Sequence, residues 1–233
     1  MLPALERSFD VLALDLPGFG RSPPLPAGVE PTPVALADAV AAAMDDAGWQ
    51  SAHLAGNSLG GWIALELARR GRARTCVALS PAGLAWGRER DLGRAVLGCL
   101  RWIARNAPPP EALMRNPLGR TLFAGPTIAK PWRADPDDLI EQTRLLAGCP
   151  GWEATLERTF DGQIEGLDEI RVPVLVLWGT RDVVLIPRQG RRFKRLIEGA
   201  DLRFLKGCGH VPMSDDPEGI ARAIAEFAGA ARP

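Results

Sequence analysis

The chain has 233 residues, enough for one large domain with room for an inserted lobe. At 46% hydrophobic and 24% charged its composition is that of a soluble globular protein, and 28 basic against 28 acidic side chains leave no net charge to draw it to nucleic acid or an anionic membrane. No signal-like segment opens it, no apolar run approaches membrane length, and Cys76, Cys99, Cys149 and Cys208 have neither metal-ligand nor paired spacing, so a reduced, cytoplasmic protein without a metal is expected.

Apolar runs alternate with amphipathic ones in the order of βα units. The pattern predicts a strand over 9–16, "FDVLALDL", then the turn-rich "PGFGRSPP", then a helix over 33–47 with Val34, Leu36, Val40 and Met44 at helical spacing. Residues 51–55 read as a short buried strand running into "GNSLGG" and a helix that carries Trp62, Ile63, Leu65 and Ala68. A further strand is predicted over 75–80, "TCVALS". The rhythm then stops. From 83 to 164 prolines recur at 108 to 110, 117, 126, 131, 136 and 150, with short helical patterns over 92–105 and 136–146 and no strong strand. This stretch is expected to be an inserted helical cap on a core formed by 1–82 and 165–233. Strands return at 172–178, "VPVLVLW", and at 201–205, with a helix over 187–197 between them and a closing helix over 217–228.

Gly56-Asn57-Ser58-Leu59-Gly60 is a Gly-x-Ser-x-Gly pattern, weak by itself in a chain with 25 glycines. Its position at a strand-to-helix junction strengthens it. A sharp turn there strains the serine backbone, and glycines on either side remove the Cβ atoms that would clash. The Leu59 N–H then opens a helix and faces any charge developing on a substrate carbonyl oxygen.

A serine hydroxyl needs a base, usually a histidine oriented by a carboxylate. The chain has two histidines. His53 enters the strand before Ser58, and at ~3.3 Å per residue its backbone lies roughly 15 Å away, which assigns it a structural role. His210 lies in "GCGHVP", a loop beyond the last strand, where a parallel α/β sheet places its site. For the acid, Asp182 in "LWGTRD" follows the strand ending at Trp178, although a turn-forming aspartate is a common use of the residue. The loop after "TCVALS" offers no acid before Glu89, and Asp168, Asp215 and Asp216 have no strand end behind them.

Together these residues resemble the α/β-hydrolase fold superfamily. The likeness rests on "DLPGFGRS" at 15–22, "GNSLGG" at 56–61, "VPVLVLWGTRD" at 172–182 and "GCGHVPMSDDPE" at 207–218. The resemblance implies an α/β fold, a mostly parallel sheet flanked by helices with a helical cap, and a Ser58–Asp182–His210 triad. It also implies cofactor-free acyl-enzyme chemistry in which the Leu59 N–H serves the oxyanion hole. By the same resemblance, N-terminal strands and the loop with the second oxyanion donor are missing, so Met1 is expected to be an internal start and the functional protein longer. One missing strand would sit between the 9–16 strand and the elbow strand, leaving two unpaired edges beside the nucleophile. Loss of one oxyanion donor costs roughly 10²–10³ in kcat.

A serine nucleophile argues against the family's aspartate-dependent dehalogenases and epoxide hydrolases, and a chain without tyrosine has no cap tyrosine to open an epoxide. Carboxylester hydrolysis, C–C bond hydrolysis of ring-cleavage products, thioester or lactone hydrolysis and cofactor-free perhydrolysis stay open, the first two resembling this chain most. The expected partner is a small apolar acyl or aryl ester or related carbonyl compound, contacted by Asn57, Trp86 and Trp132. Trp62, Trp102 and Trp152 are further candidates, although tryptophans in a helical lobe are more often core. Two readings of another class also stand: a non-catalytic ligand-binding module on the same scaffold, and an inactive fragment of a longer hydrolase.

Overall fold

The computed structural model describes residues 1–230. Four strands, β1 (Ala52–Asn57), β2 (Ala73–Leu79), β3 (Val174–Gly179) and β4 (Asp201–Leu205), lie side by side in chain order, all parallel. Alternation along β2 and β3 sorts their side chains onto two faces. Cys76, Ala78, Val174, Val176 and Trp178 pack with Leu65 and Ala68 of α3 (Leu59–Arg69) and with Phe193 of α9 (Gly190–Leu196). Val77, Leu79, Leu175 and Leu177 pack with Leu5 of α1 (Leu2–Leu5) and with Ile220, Ala221 and Ile224 of α11 (Pro217–Ala230). Because both faces of β3 are covered, its sequence is a continuous apolar run instead of an alternating one.

Helix α2 (Pro33–Asp46) starts where the Thr32 hydroxyl accepts the Ala35 N–H at 3.1 Å, with proline at its first position, and packs Leu36, Ala37 and Met44 onto Ile63 and Leu67 of α3. Between β2 and β3 the described chain holds helices and no strand: α4 (Arg88–Asn106), α5 (Glu111–Arg115), α6 (Pro117–Ala124), α7 (Pro136–Gly148) and α8 (Trp152–Asp161). Two arginine-centred clusters hold this stretch. Buried Arg101 donates to the Leu146 and Cys149 carbonyls and to Glu153, joining α4, α7 and α8. Buried Glu89, in the first turn of α4, accepts from Arg188 and Arg192 and so ties α4 to the segment after β3. Short α10 (Pro212–Asp215) precedes α11. No helix among the described residues is long and apolar enough to cross a membrane.

Predicted and observed strands agree to within one or two residues at 51–55, 75–80, 172–178 and 201–205. Residues 9–16 do not: the segment forms no strand. Its ends make the only backbone hydrogen bonds along it, Phe9 N–H to Leu5 O and Phe19 N–H to Leu16 O, while Leu12 and Leu14 stay 40% and 41% exposed. The cause is the lack of a neighbour. β1 pairs only with β2, and its other edge faces 9–16 across a cavity, so neither has a ladder partner on that side. Strand propensity without a partner gives extended coil.

Candidate active site

The elbow is built at the junction of β1 and α3. Ser58 has φ 56° and ψ −116°, a left-handed conformation that costs a non-glycine residue of order 1–3 kcal/mol. Packing holds it there. Ser58 N–H donates to Leu79 O at 2.9 Å, Ser58 O accepts from Ala82 N–H at 3.0 Å, and every residue from Gly61 to Ala68 is buried. The glycines are required by contact: a Cβ on Gly56 would lie 2.1 Å from Gly60 O, and one on Gly61 2.9 Å from the Pro81 Cβ. The Ser58 hydroxyl neither caps α3 nor makes another hydrogen bond among the described residues. The Leu59 N–H lies in the first turn of α3, where backbone donors have no intrahelical acceptor.

Asp182 stands in the loop after β3. One carboxylate oxygen accepts the Val184 and Leu185 N–H groups at 2.9 and 2.8 Å, and the other meets His210 Nδ1 at 2.9 Å. Trp178 Nε1 donates to Leu185 O at 2.8 Å and fixes the same loop from β3. Asp182 and His210 are 3% and 4% exposed. An ionised carboxylate can only accept, so the Nδ1 of neutral His210 carries the proton and Nε2 is left with a lone pair. Gly179 lets the His210 loop pass over the end of β3, since a Cβ there would come 2.1 Å from Gly209 O.

Asn57 lines the cavity onto which Ser58 opens, but its amide NH₂ is already engaged. Its Nδ2 donates to Leu79 O at 3.0 Å and to His210 O at 2.9 Å, so its amide joins the elbow to the histidine loop and is not free to donate to a substrate. The expected aromatic contacts lie elsewhere. Trp86 is half-exposed with the Arg192 guanidinium 4.2 Å from its ring centre, and half-exposed Trp132 offers its carbonyl to Arg120; neither lines the cavity onto which Ser58 opens. That cavity holds about 590 Å³ and is lined by Phe19, Trp152, Leu156 and Phe160 together with Ser58, Leu59, β1 and most of residues 9–16. Of the tryptophan candidates, Trp62 is core, Trp102 is exposed and Trp152 alone reaches the cavity. Phe19 belongs to the "PGFG" turn, whose Gly18 carbonyl accepts from Gly151 N–H at 3.1 Å and so brings that loop to the start of α8. His53 pairs with Thr75 Oγ1 at 2.9 Å and stacks edge-on to Phe9. Burial, with Asp215 nearby, pushes the Cys208 thiol above its usual range, which leaves it no thiolate chemistry at neutral pH.

A strained serine at a strand-to-helix turn, with a buried histidine–carboxylate pair on adjoining loops of a parallel sheet, defines a scaffold for nucleophilic attack by serine. The sequence pattern of the alpha/beta hydrolase family matches residues 1–223, and the chain belongs to that family. Among curated relatives it is 34% identical over 207 residues to "Epoxide hydrolase EphH" of Mycobacterium tuberculosis, covering 82% of this chain and 92% of the relative. It is 30% identical over 237 residues to a "Pimeloyl-[acyl-carrier protein] methyl ester esterase" of Neisseria meningitidis, covering 97% of this chain and 86% of the relative. Among solved structures, a hydrolase from Pseudomonas aeruginosa superposes with TM-score 0.75 at 26% identity over 98% of this chain and 83% of its own. A meta-cleavage product hydrolase from Pseudomonas fluorescens shares the fold, with TM-score 0.76 at 21% identity over 99% of this chain and 84% of its own.

Proposed function

We propose that the chain is a cofactor-free serine hydrolase that cleaves a small carboxylic ester with an apolar acyl or aryl part. Ser58 is its nucleophile, His210 its base and Asp182 the group that orients the base. The observation that carries this reading is the buried His210–Asp182 contact at 2.9 Å, on a loop held by the side chain of Asn57, the residue next to a strained serine. Ser58 Oγ attacks the ester carbonyl carbon as His210 Nε2 takes its proton. The Leu59 N–H receives the oxyanion. Collapse expels the alcohol, which takes the proton from His210, and leaves an acyl-Ser58 ester. Water, deprotonated by His210, then attacks that ester; the acyl–Oγ bond breaks, His210 returns the proton to Ser58 Oγ and the acid leaves. The Ser58–His210 hydrogen bond forms as substrate enters, in keeping with the way such contacts tighten in the Michaelis complex.

The same chemistry weighs against epoxide opening despite the likeness to an enzyme of that name. A serine alkoxide that opens an epoxide forms an alkyl ether, which has no carbonyl for water to attack, so turnover would stop after one event. Residues 83–164 act as a cap in this reading, since Trp152, Leu156 and Phe160 of α8 line the same cavity as Ser58. The four free cysteines suit a reducing, cytoplasmic setting. The test is labelling with a fluorophosphonate, read by intact mass, with Ser58→Ala alongside. A single adduct absent from Ser58→Ala is expected; a folded protein that takes no adduct, or that labels equally after the substitution, would refute the assignment.

A further inference from the structure

The loop that carries His210 is held from a direction the reaction itself does not explain. Asp215, the last residue of α10, turns its carboxylate back onto three backbone N–H groups. One oxygen accepts from Gly209 at 2.7 Å and from Ala129 at 3.1 Å, and the other accepts from Lys130 at 2.7 Å. Gly209 immediately precedes His210, whereas Ala129 and Lys130 belong to the helical stretch between β2 and β3. On the far side of the histidine, Val211 N–H donates to Thr127 O at 3.0 Å. Both neighbours of His210 are therefore fastened to the 127–130 segment, one through a carboxylate and one directly. The approach is close enough to need glycine: a Cβ on Gly209 would lie 2.7 Å from Thr127 O and 2.9 Å from Ala129 N.

We infer that Asp215 is a positioning residue that sets the His210 imidazole against Asp182 by clamping the histidine loop to residues 127–130. The physical case is one of competing freedom. A glycine-flanked loop has little preference of its own, and Gly207 and Gly209 bracket Cys208 just ahead of the histidine. Hydrogen bonds from backbone N–H groups to an ionised carboxylate are roughly twice as strong as neutral ones, and three converge here from two elements. With Asn57 holding the His210 carbonyl from the elbow side, the histidine backbone is fixed from both directions, leaving the ring little rotation in which to lose the 2.9 Å contact with Asp182. The neighbouring Asp216 carboxylate accepts only the Gly219 N–H, at 3.0 Å, at the start of α11 and serves as a control that shares the location but not the clamp.

The catalytic consequence rests on the function proposed above, so the test has one arm that does not depend on turnover. The chain has two histidines, which makes their ring protons assignable by NMR, with His53 as internal reference. In the wild type and in Asp216→Asn, the His210 Nδ1 proton is expected as a slowly exchanging downfield resonance. In Asp215→Asn it should broaden into exchange with water while the His53 signals stay in place. Asp215→Glu keeps both acceptor oxygens one methylene further out and should restore part of the signal, which also guards against loss of fold in the first variant. In ester hydrolysis, Asp215→Asn should lower kcat on the order of 10²-fold with KM nearly unchanged, since a small misplacement of a reacting group costs about that much. An unchanged His210 resonance in a folded Asp215→Asn protein would overturn the inference. If wild type shows no turnover, the proposed function fails while the NMR comparison still decides this point.

Discussion

Asp182→Asn tests the proposed mechanism at the atom where its logic is tightest. The Asp182 carboxylate has a task for each oxygen: one accepts the Val184 and Leu185 N–H groups at 2.9 and 2.8 Å, the other accepts from His210 Nδ1 at 2.9 Å. Asparagine has a single acceptor oxygen. Two backbone N–H groups in a buried loop claim it, because leaving them unmet costs about 1–3 kcal/mol each, so the new NH₂ turns toward His210. Imidazole Nδ1 must then accept, its proton moves to Nε2, and the atom facing Ser58 has no lone pair with which to take a proton. A triad histidine held in that tautomer loses roughly 10⁴ in kcat, or about 5.5 kcal/mol of transition-state stabilisation. Initial rates on a p-nitrophenyl ester at neutral pH, with a thermal melt to show that the fold is retained, measure it. A folded Asp182→Asn protein retaining more than about a tenth of wild-type kcat would refute the tautomer argument.

Three further outcomes follow from contacts described above. Gly56→Ala drives a Cβ to 2.1 Å from Gly60 O, where only backbone could yield, and should lower Tm by about 6–12 °C, with loss of fluorophosphonate labelling. For Glu89, burial acts to raise the carboxyl pKa, but hydrogen bonds from Arg192 and Arg188 outweigh it and hold the value below the ordinary 4.5. The folded pKa is thus the lower one, so the stabilisation is present above the unfolded value and vanishes as pH falls through the folded one. Glu89→Gln should accordingly cost about 4–8 °C in Tm at pH 7, counting mainly the Arg192 arm because Arg188 is exposed, and the gap to wild type should narrow as melts are taken to acid pH below the ordinary carboxyl range. Trp152→Ala removes an indole from the cavity wall and should shift relative kcat/KM on p-nitrophenyl esters toward long acyl chains by roughly tenfold; an unchanged chain-length profile would move the acyl site elsewhere.

The elements that sequence reading recovered are those whose pattern and environment agree. β3 is apolar throughout because it is covered on both faces, and the elbow glycines at 56 and 61 are explained by close contacts, with the Gly60 backbone and with Pro81, that leave no room for a side chain. Position after a strand end led to Asp182 and His210, and the two side chains do meet. The strand expected over 9–16 failed because propensity is local whereas pairing is not: nothing in "FDVLALDL" records whether a neighbour lies alongside. Trp86 and Trp132 were chosen for residue type, yet neither lines the cavity, and the Asn57 amide NH₂ is taken by two backbone carbonyls. The cavity walls went unseen because Phe19 and Trp152 lie in separate segments, brought together where Gly151 N–H and the Cys149 thiol reach the Gly18 carbonyl. Asp215 had no strand end to recommend it, and its role rests on backbone N–H groups that sequence does not display.

The open edge of β1 has a bearing on how the molecule comes apart. β2 and β3 have a strand on either side, whereas β1, which delivers Ser58, is laddered on one side only. Amides on β3 should therefore exchange with solvent only through global unfolding, and those on the outer edge of β1 through small local openings of much lower free energy. The elbow stores its strain at the end of an edge strand, so peeling β1 from β2 would release that strain. Heat should abolish reaction at Ser58 several degrees before the helical signal falls, the site melting ahead of the fold that carries it.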